Sequence, residues 1–160
     1  MKRSTIAQTF AIGAVAALAL GLAPMTKADD KDEVKTCSNA TIKGAFARTD
    51  QGFVIPPNSA PMPLAGLALM TFDGNGRWTA TGSGSLNGNQ QPLTTSTGTY
   101  TVNSDCTGHY EPDVAPPGRT GQSFFVIVDG GNAFQILPLD QTAAIICVAR
   151  RVFPVGNPKD

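Results

Sequence analysis

Three short turn signals, each set between two runs of strand-forming residues, constrain this chain more than any other feature. Asp73-Gly-Asn-Gly76 divides an apolar run from an alternating one. Asn103-Ser-Asp-Cys106 follows Thr-Tyr-Thr-Val, and Asp129-Gly-Gly-Asn132 separates Phe-Phe-Val-Ile-Val from Ala-Phe-Gln-Ile-Leu. Each supplies Gly, Asn or Asp where a tight hairpin needs a positive φ or an Asx hydrogen bond. Helical periodicity is nearly absent from Thr41 onward, so the body reads as all-β. The punctuation predicts eight strands, at 40–49, 64–72, 76–85, 93–102, 107–112, 122–129, 132–138 and 142–153.

Alternation assigns faces to the early strands. Ile42, Gly44 and Phe46 share one face of the first, and Thr41, Lys43 and Thr49 the other. In the third, Trp78, Ala80, Gly82 and Gly84 oppose Arg77, Thr79, Thr81 and Ser83. That is one buried face and one wet face. Strands six to eight differ. Phe124, Val126 and Val128 oppose Phe125 and Ile127, while Ile145 and Cys147 oppose Ile146 and Val148. Apolar residues on both faces require a second cover, from the chain itself or from another subunit.

Connection lengths select the architecture. In an up-and-down meander the three tight turns fall at one end, and the segments 50–63, 86–92, 113–121 and 139–141 at the other. The first of these holds Pro56, Pro57, Pro61 and Pro63, and the third holds Pro116, Pro117 and Gly118. An eight-stranded antiparallel up-and-down barrel, pinched at the turns and open at the long loops, fits this order. A β-sandwich is the alternative, since it also uses short strands at regular spacing. The even strand count and the local hairpins favour closure.

Upstream, Lys2 and Arg3 precede a nearly unbroken small and apolar run, Phe10 to Leu22, with small residues Thr26 and Ala28 after it. This reads as a secretory signal peptide, 1–28, cleaved after Ala28. A charged leader at 29–36, a single barrel domain at 37–155 and a tail at 156–160 complete the expected organisation. Removal of Lys2, Arg3 and Lys27, with no acidic residue, takes the formal net charge from zero to −3. The expected location is the periplasm or the extracellular space. Charged residues are only 15% and form no Lys/Arg cluster, which speaks against a nucleic-acid partner. Stable membrane insertion after cleavage is not expected. No later apolar run reaches 18 residues, and the early outward faces carry Thr, Ser and Lys.

Three cysteines permit three single pairings. The meander brings Cys37 and Cys106 to the tight-turn end and leaves Cys147 midway along the last strand, so Cys37–Cys106 is the expected disulfide. Cys147, between apolar neighbours, reads as a small core residue rather than a nucleophile.

Sites of chemistry are sparse. His109, the single histidine, shares a strand face with Glu111, and the two could perform acid–base work if they faced a cavity; they are the only catalytic candidates. No G-x-S-x-G elbow occurs. Neither the cysteine spacing nor one histidine makes a metal site, so no metal and no cofactor are expected. Asp73-Gly-Asn75-Gly lacks the remaining ligands of a calcium loop, and hairpin geometry accounts for it. Gly82 and Gly84, small residues on the inner face, taper a barrel or leave room for a ligand. Arg150 and Arg151 read as an exposed strand end.

Four segments carry a resemblance: Cys37-Ser-Asn-Ala-Thr-Ile-Lys-Gly44, Phe72-Asp-Gly-Asn-Gly76, Gly98-Thr-Tyr-Thr-Val-Asn-Ser-Asp-Cys-Thr-Gly108 and Phe125-Val-Ile-Val-Asp-Gly-Gly131. They resemble the signature blocks of an uncharacterised family of small exported bacterial β-barrel proteins, over most of the chain after the cleavage point. Such proteins are broadly similar to lipocalin-like and allene oxide cyclase-like barrels. That likeness implies a fold and assigns no activity.

The leading expectation is therefore a non-enzymatic barrel that binds a small or partly apolar ligand at its long-loop end. Phe46, Trp78, Phe124, Val126 and Ile145 are the candidate inner-face residues, and loops 51–63 and 113–121 the candidate rim. A second reading is a filled barrel that forms homo-oligomers through strands six to eight. A third is a barrel-cyclase-like enzyme using His109 and Glu111.

Overall fold

A computed structural model describes residues 36–153. The expected signal peptide, nearly all of the charged leader and the C-terminal tail lie outside the described residues. The strands are β1 (Gly44–Val54), β2 (Met62–Phe72), β3 (Arg77–Leu86), β4 (Asn89–Gln90), β5 (Thr94–Val102), β6 (Thr107–Pro112), β7 (Ser123–Val128), β8 (Ala133–Pro138) and β9 (Ala143–Arg151). Every pairing is antiparallel. Chain-order neighbours pair around the sheet, β3 pairs directly with β5, and β9 returns to β1. Eight strands thus close a barrel, and β4 is a two-residue return along the end of β3. Closure leaves no long unpaired edge, which a sandwich would have.

The first strand starts and ends later than expected. Asn39–Ile42 forms a single 3-10 turn, and Gly44 (φ 126°) opens the strand in a conformation that a side chain would resist. Pairing with β2 then runs unbroken from Gly44↔Phe72 to Val54↔Met62. The loop is consequently 55–61, not 50–63. Pro63 is tolerated near the start of β2 because pairing with β3 begins one residue later, at Leu64↔Leu86.

The tight-turn end is packed with rings. Phe46, Phe72, Phe125 and Phe134 are fully buried, and edge-on contacts link Phe46 to Phe72 and Phe134, and Phe72 to Tyr100. Trp78 and Tyr110 extend the cluster toward the middle of the barrel. Ile42, with no exposed surface, plugs the end from the 3-10 turn. That turn is tied down by side chains. The Tyr100 hydroxyl donates to the Asn39 carbonyl (3.0 Å) and accepts from the Gly74 N–H (2.9 Å), and Asn39 Oδ1 accepts from the Val102 N–H (2.8 Å). Cys37 and Cys106 form a disulfide across 4.9 Å between Cα atoms, at the same end.

Arg151 corrects an expectation here. It is not an exposed strand end. Its guanidinium lies 4.6 Å from the Phe46 ring centroid and donates to the carbonyls of Lys43, Thr41 and Gly131, fastening the last strand to the plug.

Two expected inner-face residues point the other way. Phe124 and Val126 are exposed on the outside of β7, while Ser123, Phe125 and Ile127 face the lumen. The run is apolar on both faces, so alternation alone cannot choose its register. The partner strand does. Phe125 pairs with Gly108, and its ring lies where a Gly108 side chain would stand. Trp78 covers Gly98 in the same way, its ring atoms 2.6 Å from where a Gly98 Cβ would be. Each glycine lets a large inward ring lie flat against the wall.

Candidate functional site

The even-numbered residues of β1 face inward. Phe46 and Val54 are apolar; between them come Arg48, Asp50 and Gly52. The chain therefore projects a cation and an anion into the barrel, two residues apart on one strand. Arg48 Nη2 donates to Asp50 Oδ2 (2.9 Å), and Nη1 donates to the Tyr110 hydroxyl (3.2 Å) and lies 3.6 Å from Met70 Sδ. Ser123, the buried polar residue of β7, is the cross-strand partner of Tyr110 and faces the lumen beside it. The side chains of Arg48 and Asp50 keep 22% and 14% of their surface exposed, toward the open end of the lumen.

Around this pair the lumen opens into two lobes. The larger, about 370 Å³, lies against β2, β3 and β5, walled by Leu64, Ala68, Ala80, Gly82, Gly84 and Ser96. The smaller, about 220 Å³, lies against β6 to β9, walled by Trp78, Tyr110, Ile145 and Cys147 and roofed by Pro112, Pro116 and Pro138. Arg48, Asp50 and Leu64 border both lobes. Glycine at 82 and 84 is required by the wall itself. A Cβ on Gly82 would come within 2.7 Å of the Leu67 carbonyl oxygen, and one on Gly84 within 2.6 Å of that of Ala65. The two strands approach so closely there that side chains are excluded, and both glycines border the larger lobe with backbone alone.

Burial sets the protonation states. Burial alone would lower the Arg48 pKa, but its acidic neighbours outweigh burial and raise it, and the Asp50 carboxylate bonded to it is the charge that faces the guanidinium. Burial pushes the Tyr110 hydroxyl up against the lowering influence of Arg48, so it stays a neutral hydrogen-bonding group. The Cys147 thiol is pushed far up, first by burial and then by the neighbouring Asp50 charge, which keeps it out of the thiolate form that nucleophilic chemistry requires.

Of the sequence-selected residues, Trp78 and Ile145 line the smaller lobe, and Phe46 belongs to the packed end below it. Phe124 and Val126 contribute nothing to the lumen. His109 and Glu111 share a face as expected, but it is the outer face of β6. There, Glu111 accepts from Gln122 Nε2 (3.1 Å), and the pair flanks an outer groove beside Phe124 and Leu139. The two border that outer groove, of about 420 Å³, and not the lumen. The rim comes from Gln91 and Pro92 after β4 and from Pro116 and Gly121 in the loop after β6. No residue of 55–61 borders either lobe. Asp140 fixes the loop after β6 by accepting from the Thr120 N–H (2.7 Å) and hydroxyl (2.8 Å).

Sequence reasoning missed Arg48 and Asp50. The signal was present, since extending the Phe46 face by two and four residues reaches both. Ending the strand at residue 49 cut off Asp50 and left Arg48 as a lone charge on that face.

Comparison with known proteins brings no match to a family model, a curated protein or a solved structure. Among the described residues no cluster of His, Cys, Asp or Glu could hold a metal ion, and no helix is long and apolar enough to cross a membrane.

Proposed function

We propose that this protein is an exported, non-enzymatic small β-barrel that holds a small, partly apolar ligand in the open end of its lumen. The observation that carries the reading is the two-lobed space meeting at Arg48 and Asp50. Its larger lobe is within the range of small-molecule sites, about 300–1,000 Å³. Such sites combine apolar walls with a few fixed polar groups, and this lumen sets one ion pair and the hydroxyls of Tyr110, Ser123 and Ser96 among Leu64, Ala80, Trp78 and Ile145. Export is supported by the Cys37–Cys106 disulfide, a bond that persists in oxidising compartments, and by the basic, apolar and small-residue order of the first 28 residues.

Native mass spectrometry of the mature protein, purified from its exporting host without added ligand, tests this. The expected result is an excess mass that disappears on denaturation. It should be lost in Ser96→Phe and Leu64→Trp, which fill the lobes from their walls. A bare mass for the wild-type protein would sink the carrier reading.

One observation favours a second reading, self-association through the outside of β7 to β9. Phe124 and Leu137 are cross-strand partners, and with Ile146 on β9 they form an exposed apolar row, 39%, 51% and 56% accessible. Sedimentation velocity across a concentration series should show a dimer that Ile146→Glu abolishes; a constant monomer mass removes this reading.

A further inference from the structure

The lumen is charged in its parts and neutral as a whole. Among the residues bordering the two lobes, Arg48 and Asp50 are the only charged ones, and they are bonded to each other. An entering anion would have to draw Arg48 away and leave Asp50 buried without its partner. An entering cation would do the reverse. Either exchange strands a charge in a poorly solvated space, which is far more costly than keeping the pair intact. A group without formal charge meets no such penalty. The parts of the pair that stay exposed, 22% of the Arg48 side chain and 14% of that of Asp50, offer donors from the guanidinium and acceptors from the carboxylate. A head group that both donates and accepts matches that complement, whereas a purely accepting or purely donating ion does not. Beside the pair, Trp78, Ile145, Pro112, Pro116 and Pro138 offer an apolar lobe with no ionic partner for a tail.

Resting on the lumen-binding reading above, we propose that the ligand class is an uncharged amphiphile. Its hydroxyl or carboxamide head lies against Arg48–Asp50, and its apolar body in the lobe walled by Trp78 and Ile145. Asp50 is then the specificity-determining residue. It cancels Arg48 and so excludes the carboxylate ligands that an unopposed lumen arginine would attract.

Trp78 is the single tryptophan of the chain and borders the smaller lobe, so its emission reports occupancy directly. Three probes of equal tail length, 1-octanol, octanoate and octylammonium, are titrated at pH 7 into the folded protein. The expected order is octanol tightest, with both ions at least tenfold weaker. Asp50→Asn, nearly isosteric, should reverse the first pair and favour octanoate over octanol by at least tenfold. Arg48→Gln should instead favour octylammonium, and either variant suffices if the other fails to fold. An ion that binds the wild-type protein as tightly as octanol overturns the neutral-head inference and leaves lumen binding standing. So does an unchanged order in a folded variant. No saturable response to any probe, in a protein that nonetheless carries an excess mass, also overturns this inference alone. The same silence with a bare native mass removes the lumen-binding reading with it.

Discussion

The two ends of this barrel are built from the same strands and obey opposite rules. At the tight-turn end every inward position is filled. Phe46, Phe72, Phe125 and Phe134 interlock, Ile42 closes the floor, and a disulfide and Arg151 clamp the plug. Toward the long loops the same strands turn to Gly66, Gly82, Gly84, Ser96 and the Arg48–Asp50 pair, and space appears. A strand of about ten residues is long enough to serve both ends, so one element carries core at one extremity and site at the other. Apolar burial at the closed end supplies the stability that an open, polar end does not.

Removing a ring from the packed end breaks the comparison most severely. Phe134→Ala deletes a fully buried ring that contacts Phe46, Phe72 and Phe125. It should cost about 3–5 kcal/mol, measured as a shift in the urea midpoint at unchanged slope. Leu64→Ala, at the border of both lobes, should cost roughly 1 kcal/mol, because the truncated side chain already adjoins open space and encloses little new void. Equal losses would mean that the open end is packed as tightly as the closed one.

The disulfide sharpens the same contrast. It joins residues 69 apart and ties the plug to the turn between β5 and β6. The double variant Cys37→Ser, Cys106→Ser should lose about 2–4 kcal/mol of unfolding free energy. Since neither residue borders the two lobes, occupancy of the lumen in the folded variant should be unchanged. A ligand mass lost from a variant that still gives a native melting transition would show that the two ends are coupled.

The closed end was legible in the sequence to a degree that the open end was not, and the reason is physical. Turn residues and alternation are local, so the three hairpins, the eight-strand count and the Cys37–Cys106 pairing follow from neighbours along the chain. Register is not local. Whether Phe124 or Phe125 turns inward depends on Gly108, a residue of the adjacent strand. The site suffered most, because its identifying residues violate the pattern by which strands are recognised. A charged pair on an inner face reads as the end of a strand, and ending it at residue 49 hid Asp50, the partner that explains Arg48. Local rules fail where function asks for a polar group inside, so an interrupted apolar face is itself a signal.

Acid provides the mildest separation of the two ends, through aspartates held in different ways. In the turn between β2 and β3, Asp73 Oδ1 accepts from the backbone N–H groups of Asn75 (2.7 Å) and Arg77 (2.9 Å), which lower its pKa. Where the rim loop leaves β6, Asp113 depends on side chains instead. Arg77 binds both of its oxygens (2.8 and 2.6 Å) and Thr97 donates to one (2.6 Å), drawing its pKa down to about 2. A carboxylate whose folded pKa is depressed stabilises fully above its unfolded value, about 3.9, and loses that contribution as pH falls through the folded value. Between pH 4 and pH 2 the wild-type protein should therefore lose melting temperature more steeply than Asp113→Asn. That variant has surrendered the ion pair beforehand and starts lower at pH 6. Asp73→Asn should differ less from the wild-type protein at pH 6, because an asparagine oxygen can accept the same two backbone hydrogens. The ion pair is exposed to solvent, so the effect is small and should shrink further in 0.5 M salt. Parallel acid limbs for the wild-type protein and Asp113→Asn would mean that the rim owes nothing to Asp113, and that the open end holds its shape through Asp140 and the strand pairing alone.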